Sequence, residues 1–173
     1  QWTLLGSGLE MGEVEALAVY DDGTGPALYV GGSFMRAGGA PARRLAKWCG
    51  GQWTEVGAGL DGPVFALHVL GSGISSSLLV GGRFNLAGNQ PANGIVRWNG
   101  STWRPLGGGI PGTVRAVVGT VGTTEEIFAG GTFLSAGGAP ASNLARWDGL
   151  AWNSLDAAGM NDTVNALIFF DDL

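Results

Sequence analysis

Short apolar runs of about four to eight residues alternate along this chain with clusters of Gly, Pro, Asp and Asn. Runs of that length, bounded by turn formers, predict strands and not helices. No stretch shows the 3.6-residue period of an amphipathic helix. The runs come in sets of four, and the sets repeat. Trp2 answers Trp53, Trp103 and Trp152 at spacings of 51, 50 and 49 residues, and Trp48 answers Trp98 and Trp147. All seven tryptophans are therefore repeat positions, and none is left for a unique site. A fixed period in this range means one supersecondary unit copied side by side, each copy burying its apolar face against the next.

The first run of each set begins at Val14, Val64, Val114 and Val164, with Ala16, Ala66, Ala116 and Ala166 two residues on. Strict alternation puts Val14 and Ala16 on one face and Leu17 and Val19 on the other. Both faces are apolar, so the strand is expected to be packed on both sides. The second run ends in a glycine pair: Gly31-Gly32, Gly81-Gly82 and Gly130-Gly131. Such a pair predicts a bulge, a positive φ or a close backbone approach. Phe34, Phe84 and Phe133 follow and should plug the gap between adjacent units. The third and fourth runs form a hairpin around Trp48-Cys49-Gly50-Gly51, Trp98-Asn99-Gly100-Ser101 and Trp147-Asp148-Gly149-Leu150. A turn on Asn99-Gly100 sets Trp103 opposite Val96. A turn centred one residue later sets Trp98 directly opposite Trp103, and either register leaves both rings on one face.

Four antiparallel strands in about 50 residues describe a β-propeller blade. A β-solenoid is the other architecture of this period, but its coils are shorter and lack two hairpins each. The expected fold is all-β: three four-stranded blades plus an extra strand at each end, part of a larger propeller, in one repeat region, 1–173. The copies are 1–51, 52–101, 102–150 and a partial 151–173. Three blades do not make a ring of the usual four to eight, so other blades are the expected partners, from a longer chain or from further copies.

The repeat GGxFxxAGGxPAxxLAxWxGxxWxxLGxG resembles the kelch-like propeller repeats of secreted or surface-attached bacterial proteins. Distantly similar repeats occur in propellers of fungal cell-surface proteins. The resemblance implies an extracellular or cell-surface, bacterial setting and a non-enzymatic scaffold or protein-interaction module. A lectin-like, carbohydrate-binding propeller is the alternative, and an auxiliary propeller of a secreted enzyme is another. Fold alone does not choose among these.

Composition narrows the field. Gly (33 residues) and Pro (7) fit many tight turns and not disorder, because hydrophobic residues still reach 45%. A net charge of −5 with no basic run argues against nucleic acid, and no apolar stretch of about 18 residues predicts a membrane span. The single cysteine, Cys49, takes the place of Asn99 and Asp148 and is expected at an exposed hairpin tip, as a neutral turn substitution. Asn99-Gly100-Ser101 and Asn161-Asp162-Thr163 fit the glycosylation sequon, which matters only in a eukaryotic secretory route.

No catalytic, metal or cofactor site is expected. His68 is the lone histidine and has no repeat-matched partner for base or metal chemistry. The acidic pairs Asp21-Asp22, Glu125-Glu126 and Asp171-Asp172 read as solvated turns, because the second copy has Gly71-Ser72-Gly73 instead. Lys47, Arg97 and Arg146 recur beside the hairpin Trp and are expected to be solvated or stacked on a neighbour. Candidate partner surfaces, for a protein or glycan, are positions that vary within the repeating frame. Glu15, Phe65, Arg115 and Asn165 share one place on the first strand, near the axis. Arg36, Arg43, Arg44, Asn89, Gln90 and Asn93 lie in the long connections, where loops on a rigid scaffold carry function. Trp2, Trp48, Trp53, Trp98, Trp103, Trp147, Trp152, Phe34, Phe84 and Phe133 are assigned structural roles.

Overall fold

The computed structural model describes residues 3–155 and 159–170. Three four-stranded antiparallel sheets follow one another along the chain, and each strand pairs with its neighbour in sequence. Blade 1 is Val14–Asp21, Pro26–Gly32, Leu45–Cys49 and Gln52–Glu55. Blade 2 is Val64–Leu70, Ser77–Gly82, Ile95–Trp98 and Trp103–Pro105. Blade 3 is Gly112–Val121, Glu125–Phe133, Leu144–Trp147 and Trp152–Ser154. First strands of adjacent blades adjoin. Among the described residues the one helical element is a 3-10 turn, Gly73–Ser75.

Each first strand carries a bulge, which corrects the alternation expected from sequence. Val14 pairs with Gly32 and Ala16 with Gly31, leaving Glu15 unpaired, and the same shift occurs between Val64 and Ala66 and between Val114 and Ala116. One extra residue reverses the phase of every later side chain. Val14 therefore shares a face with Leu17 and with Leu28 and Val30 of the second strand, while Ala16 belongs with the opposite face.

The glycine pair has two separate jobs. A Cβ on Gly31 would stand 2.5 Å from Val64 Cγ1 of blade 2, and one on Gly81 would stand 2.8 Å from Val114 Cγ1 of blade 3. The first glycine is thus a hole for the next blade's valine. A Cβ on Gly32 would stand 1.9 Å from the carbonyl oxygen of Glu13, so the second glycine admits the backbone beside the bulge.

Phe34, Phe84 and Phe133 are buried, each in a separate apolar cluster. The hairpin tryptophans pair directly: Trp48 with Trp53, Trp98 with Trp103 and Trp147 with Trp152. This is the later-centred register. Asn99 Oδ1 holds it in blade 2 by accepting from the Ser101 and Thr102 amides at 3.0 and 2.8 Å. The ring centroids lie 4.8 to 5.6 Å apart, within the range of favourable aromatic contact. Trp53, Trp103 and Trp152 donate their indole N–H to carbonyls of the preceding linker, at Leu5, Gly57 and Leu106. Gly57, at φ +55°, lies so close that a Cβ would come within 2.7 Å of Trp98 Cζ3. Trp2 lies outside the described residues.

The long connections between second and third strands are not plain loops. Each folds into a small hairpin of two-residue strands: Arg36–Ala37 with Ala40–Pro41, Leu86–Ala87 with Gln90–Pro91, and Ser135–Ala136 with Ala139–Pro140. Interblade linkers stitch to both neighbours. The Leu60 amide donates to Arg43 O of blade 1 at 3.1 Å, and the Gly59 carbonyl accepts from Gly88 of blade 2 at 2.7 Å.

The extra strand expected at each end forms no four-stranded ladder. At one end only Leu9–Glu10 pairs, with the small hairpin strand Arg36–Ala37. At the other, 164–170 carries no strand assignment, though the Val164 amide donates to Gly131 O at 3.1 Å. A ladder needs a partner strand on the same edge, and the described residues supply none there.

Candidate interaction surface

The same first-strand face is closed in blades 2 and 3 and open in blade 1. Val64 and Val114 are fully buried, at 0% exposure, in the glycine holes of the preceding blades. Val14 is 48% exposed, Leu17 61% and Val19 67%, against the expectation that this strand is packed on both sides. Val14 and Leu17, with Leu4, Leu5, Leu9, Leu28, Val30 and Trp53, line an apolar groove of about 530 Å³. Trp48 and Trp53 are half-buried, whereas the tryptophan pairs of blades 2 and 3 are buried. At the far end the corresponding face is covered by the chain itself. Val164 Cγ1 sits on Gly130, where a Cβ would be 2.5 Å away, and Phe169 meets Phe128 edge-on at 5.6 Å.

The variable first-strand residues are the bulge residues. The Arg115 guanidinium lies 5.5 Å from the centre of the Phe65 ring, so neighbouring blades bring these two together in a cation–π contact. Glu15 is exposed at the same place in blade 1, and Asn165 is exposed outside any sheet. Four of the six connection residues are tied into the scaffold. Arg36 pairs with Glu10 at 3.5 Å and bonds Gly39 O. Arg43 pairs with Glu55 at 3.1 Å and donates to Ala58 O at 2.7 Å. Arg44 donates to Ser33 O, and Asn93 donates to Gly108 O at 3.0 Å. Asn89 and Gln90 remain exposed at the tip of the second small hairpin.

The acidic turns are not simply solvated. Asp22 Oδ2 accepts from Lys47 Nζ at 2.6 Å and from the Tyr29 hydroxyl at 2.7 Å, and Oδ1 accepts from Thr24 at 2.6 Å. Burial alone would raise the Asp22 carboxyl, but the hydrogen bonds from Lys47, Thr24 and Tyr29 outweigh it and hold it well below the usual carboxylate range. Burial, then the Asp22 carboxylate, pushes the Tyr29 hydroxyl far above its ordinary value. Glu126 pairs with Arg146 inside blade 3. The turn of blade 2 has no carboxylate, and Arg97 reaches across to Glu125 of blade 3. The basic residues beside the hairpin Trp are therefore ion-pair partners of the acidic turns. A cation on the third strand of every blade, with acidic turns in blades 1 and 3, was the available signal. Asp171-Asp172 lie outside the described residues.

His68 Nε2 lies 3.0 Å from Gly119 O of the next blade, and Cys49 is exposed at its hairpin. Among the described residues no three His, Cys, Asp or Glu side chains cluster as a metal site would need, and no helix is long and apolar enough to cross a membrane.

A family model for the Rax2 C-terminal β-propeller domain matches residues 3–171. The chain belongs to that family. The match spans all three blades and the segments flanking them, so the open face of blade 1 is part of the Rax2-type domain. No curated protein and no solved structure matches the chain.

Proposed function

We propose that this Rax2-type propeller is a non-enzymatic scaffold or protein-interaction module displayed outside the cell or on its surface. The observation that carries the reading is the unfilled copy of a repeated joint. Val64 and Val114 each enter a glycine hole, and Val14 presents the same knob, half exposed, with no glycine hole among the described residues to receive it. Exposed contiguous apolar area on a soluble domain marks an interaction surface. The surface that fits is another blade whose second strand ends in Gly-Gly, from the same longer chain or from another copy. Membership of a cell-surface-associated family supports the setting. The kelch-like reading of the repeat and a bacterial source rest on the motif alone, and a fungal cell surface is the other setting the repeat resembles.

The test is sedimentation of the 173-residue chain beside Leu17→Glu. Concentration-dependent association of the former, abolished in the latter, is expected. Monomers in both cases would remove the support for blade docking. The lectin alternative calls for equivalent pockets in successive blades, and the cleft at Trp48 and Trp53 and the cleft at Asp22, Lys47 and Trp98 are not equivalent to one another in lining. Saturable binding to one sugar on a glycan array would revive it.

A further inference from the structure

We propose that the mouth where the three first strands adjoin is a docking surface for an acidic protein segment, with Phe65 and Arg115 at its centre. It rests on the reading of the domain as an interaction module and is independent of blade docking. The bulge takes one residue of each first strand out of the ladder: Glu15, Phe65 and Arg115. A bulge re-aims the side chain it frees, and at this position the three blades carry an acid, an aromatic ring and a cation. Neighbouring first strands lie side by side, and the Arg115 guanidinium rests 5.5 Å from the centre of the Phe65 ring. Arg115 is exposed and Phe65 is half-buried.

What sets this end of the blades apart is its unspent charge. The chain has nine Lys and Arg side chains. Arg36, Arg43, Lys47, Arg97 and Arg146 pair with carboxylates, and Arg44 donates to Ser33 O. Among the described residues, the side chains of Arg83, Arg104 and Arg115 have neither an ion pair nor a hydrogen bond. Two of these stand at the same end of the blades. Arg83 follows the glycine pair of blade 2, and its amide donates to Pro63 O at 2.9 Å, two residues before Phe65. Glu13 and Glu15 of blade 1 are exposed at that end and meet no cation among the described residues. The mouth is therefore polarised, acidic in blade 1 and cationic across blades 2 and 3.

Stacking on Phe65 holds the Arg115 guanidinium by one face and leaves its N–H donors unspent. A guanidinium so placed grips a carboxylate with two parallel hydrogen bonds, and holding it in advance spares part of the ordering cost of binding. The acids of blade 1 repel a carboxylate. A docked segment thus lies with its acidic residues over blades 2 and 3 and an apolar side chain beside Phe65. Neither the apolar groove of blade 1 nor the two polar clefts includes Phe65 or Arg115. An Arg beside an aromatic ring outside a cleft suits a protein surface, where these residue types anchor contacts, better than a small saccharide, which needs a concave site.

The experiment pans a phage-displayed library of random dodecapeptides on the immobilised 173-residue chain. The enriched peptides are synthesised and their affinity is read by fluorescence anisotropy. They are expected to carry Asp or Glu next to an apolar or aromatic residue and to weaken as salt rises. Arg115→Gln and Phe65→Ala should each bind them about tenfold or more weakly, with circular dichroism unchanged. Arg115→Glu should bind peptides whose carboxylates are replaced by Lys, a rescue that misfolding cannot produce. Peptides indifferent to Phe65 and Arg115 would overturn this site and leave the interaction-module reading standing. No enriched peptide, or Arg115-dependent binding of alginate, a uronate polysaccharide, in place of peptides, would overturn the proposal as well. The sedimentation of Leu17→Glu reports on blade docking whichever result appears.

Discussion

The first strands of blades 1 and 2 carry the same knob, Val14 and Val64, beside the same bulge, yet one is half exposed and the other fully buried. The difference lies in what stands opposite. Val64 has Gly31, whose missing Cβ opens the space it fills, and Val14 has, among the described residues, the groove beside Leu4, Leu5 and Trp53. The tryptophan hairpins show the same contrast, half-buried in blade 1 and buried in blades 2 and 3. A repeat unit here is therefore half a joint, and burial of its apolar face depends on its neighbour. Stability in such arrays comes from nearest-neighbour interfaces as much as from the unit itself.

The comparison can be broken most forcefully at the aromatic pairs. Trp98→Ala, in the closed joint, should cost about 3–5 kcal/mol, and Trp48→Ala, in the open one, less than half of that. Thermal unfolding of the two variants checks this, and equal losses would mean that the rings are stabilised within their own blades. The knobs themselves come next. Val64→Ala should cost about 2 kcal/mol from lost apolar burial and the cavity left behind. Val14→Ala should stay within about 0.5 kcal/mol, as an exposed substitution does.

An effect of comparable size is expected at the polar turn of blade 1. Asp22→Asn removes the charge that Lys47 and Tyr29 answer, in a site where both charged side chains are nearly nine-tenths buried (10% and 12% exposed), and should cost about 1–3 kcal/mol. Because the folded Asp22 carboxyl lies below its ordinary value, its contribution is complete above about pH 4 and is lost as pH falls below that toward the folded value. Acid titration of the melting temperature should therefore be flatter for Asp22→Asn. Smallest of all, Arg36→Ala, which breaks an exposed pair with Glu10, should change stability by about 0.5 kcal/mol or less.

The period, the four strands per unit and the tryptophan pairs were legible because each recurs at a fixed distance along the chain. The bulge was not. Val14-Glu15-Ala16-Leu17 alternates acceptably in either phase, since Ala fits an interior or a surface position, so nothing in the sequence shows that Glu15 drops out of register. Nor does sequence distinguish the two glycines of a pair, one a hole for a side chain and the other a passage for backbone. The ion pairs were half visible: Lys47, Arg97 and Arg146 recur, but their partners sit in turns that differ from copy to copy, and Arg97 finds its own in the next blade. Among the candidate surface residues, Arg43, Arg44 and Asn93 vary between copies because each stitches a slightly different connection, which resembles functional variation until the hydrogen bonds are seen.

The joint between Gly31 and Val64 can be measured directly by a double-mutant cycle on thermal or denaturant unfolding. Gly31→Ala should destabilise the chain by about 1–3 kcal/mol, because its Cβ would stand 2.5 Å from Val64 Cγ1. The same change made in a Val64→Ala background should cost far less, a coupling of about 0.5–3 kcal/mol. An identical cost in both backgrounds would contradict the account, since the valine would then not be what the glycine makes room for.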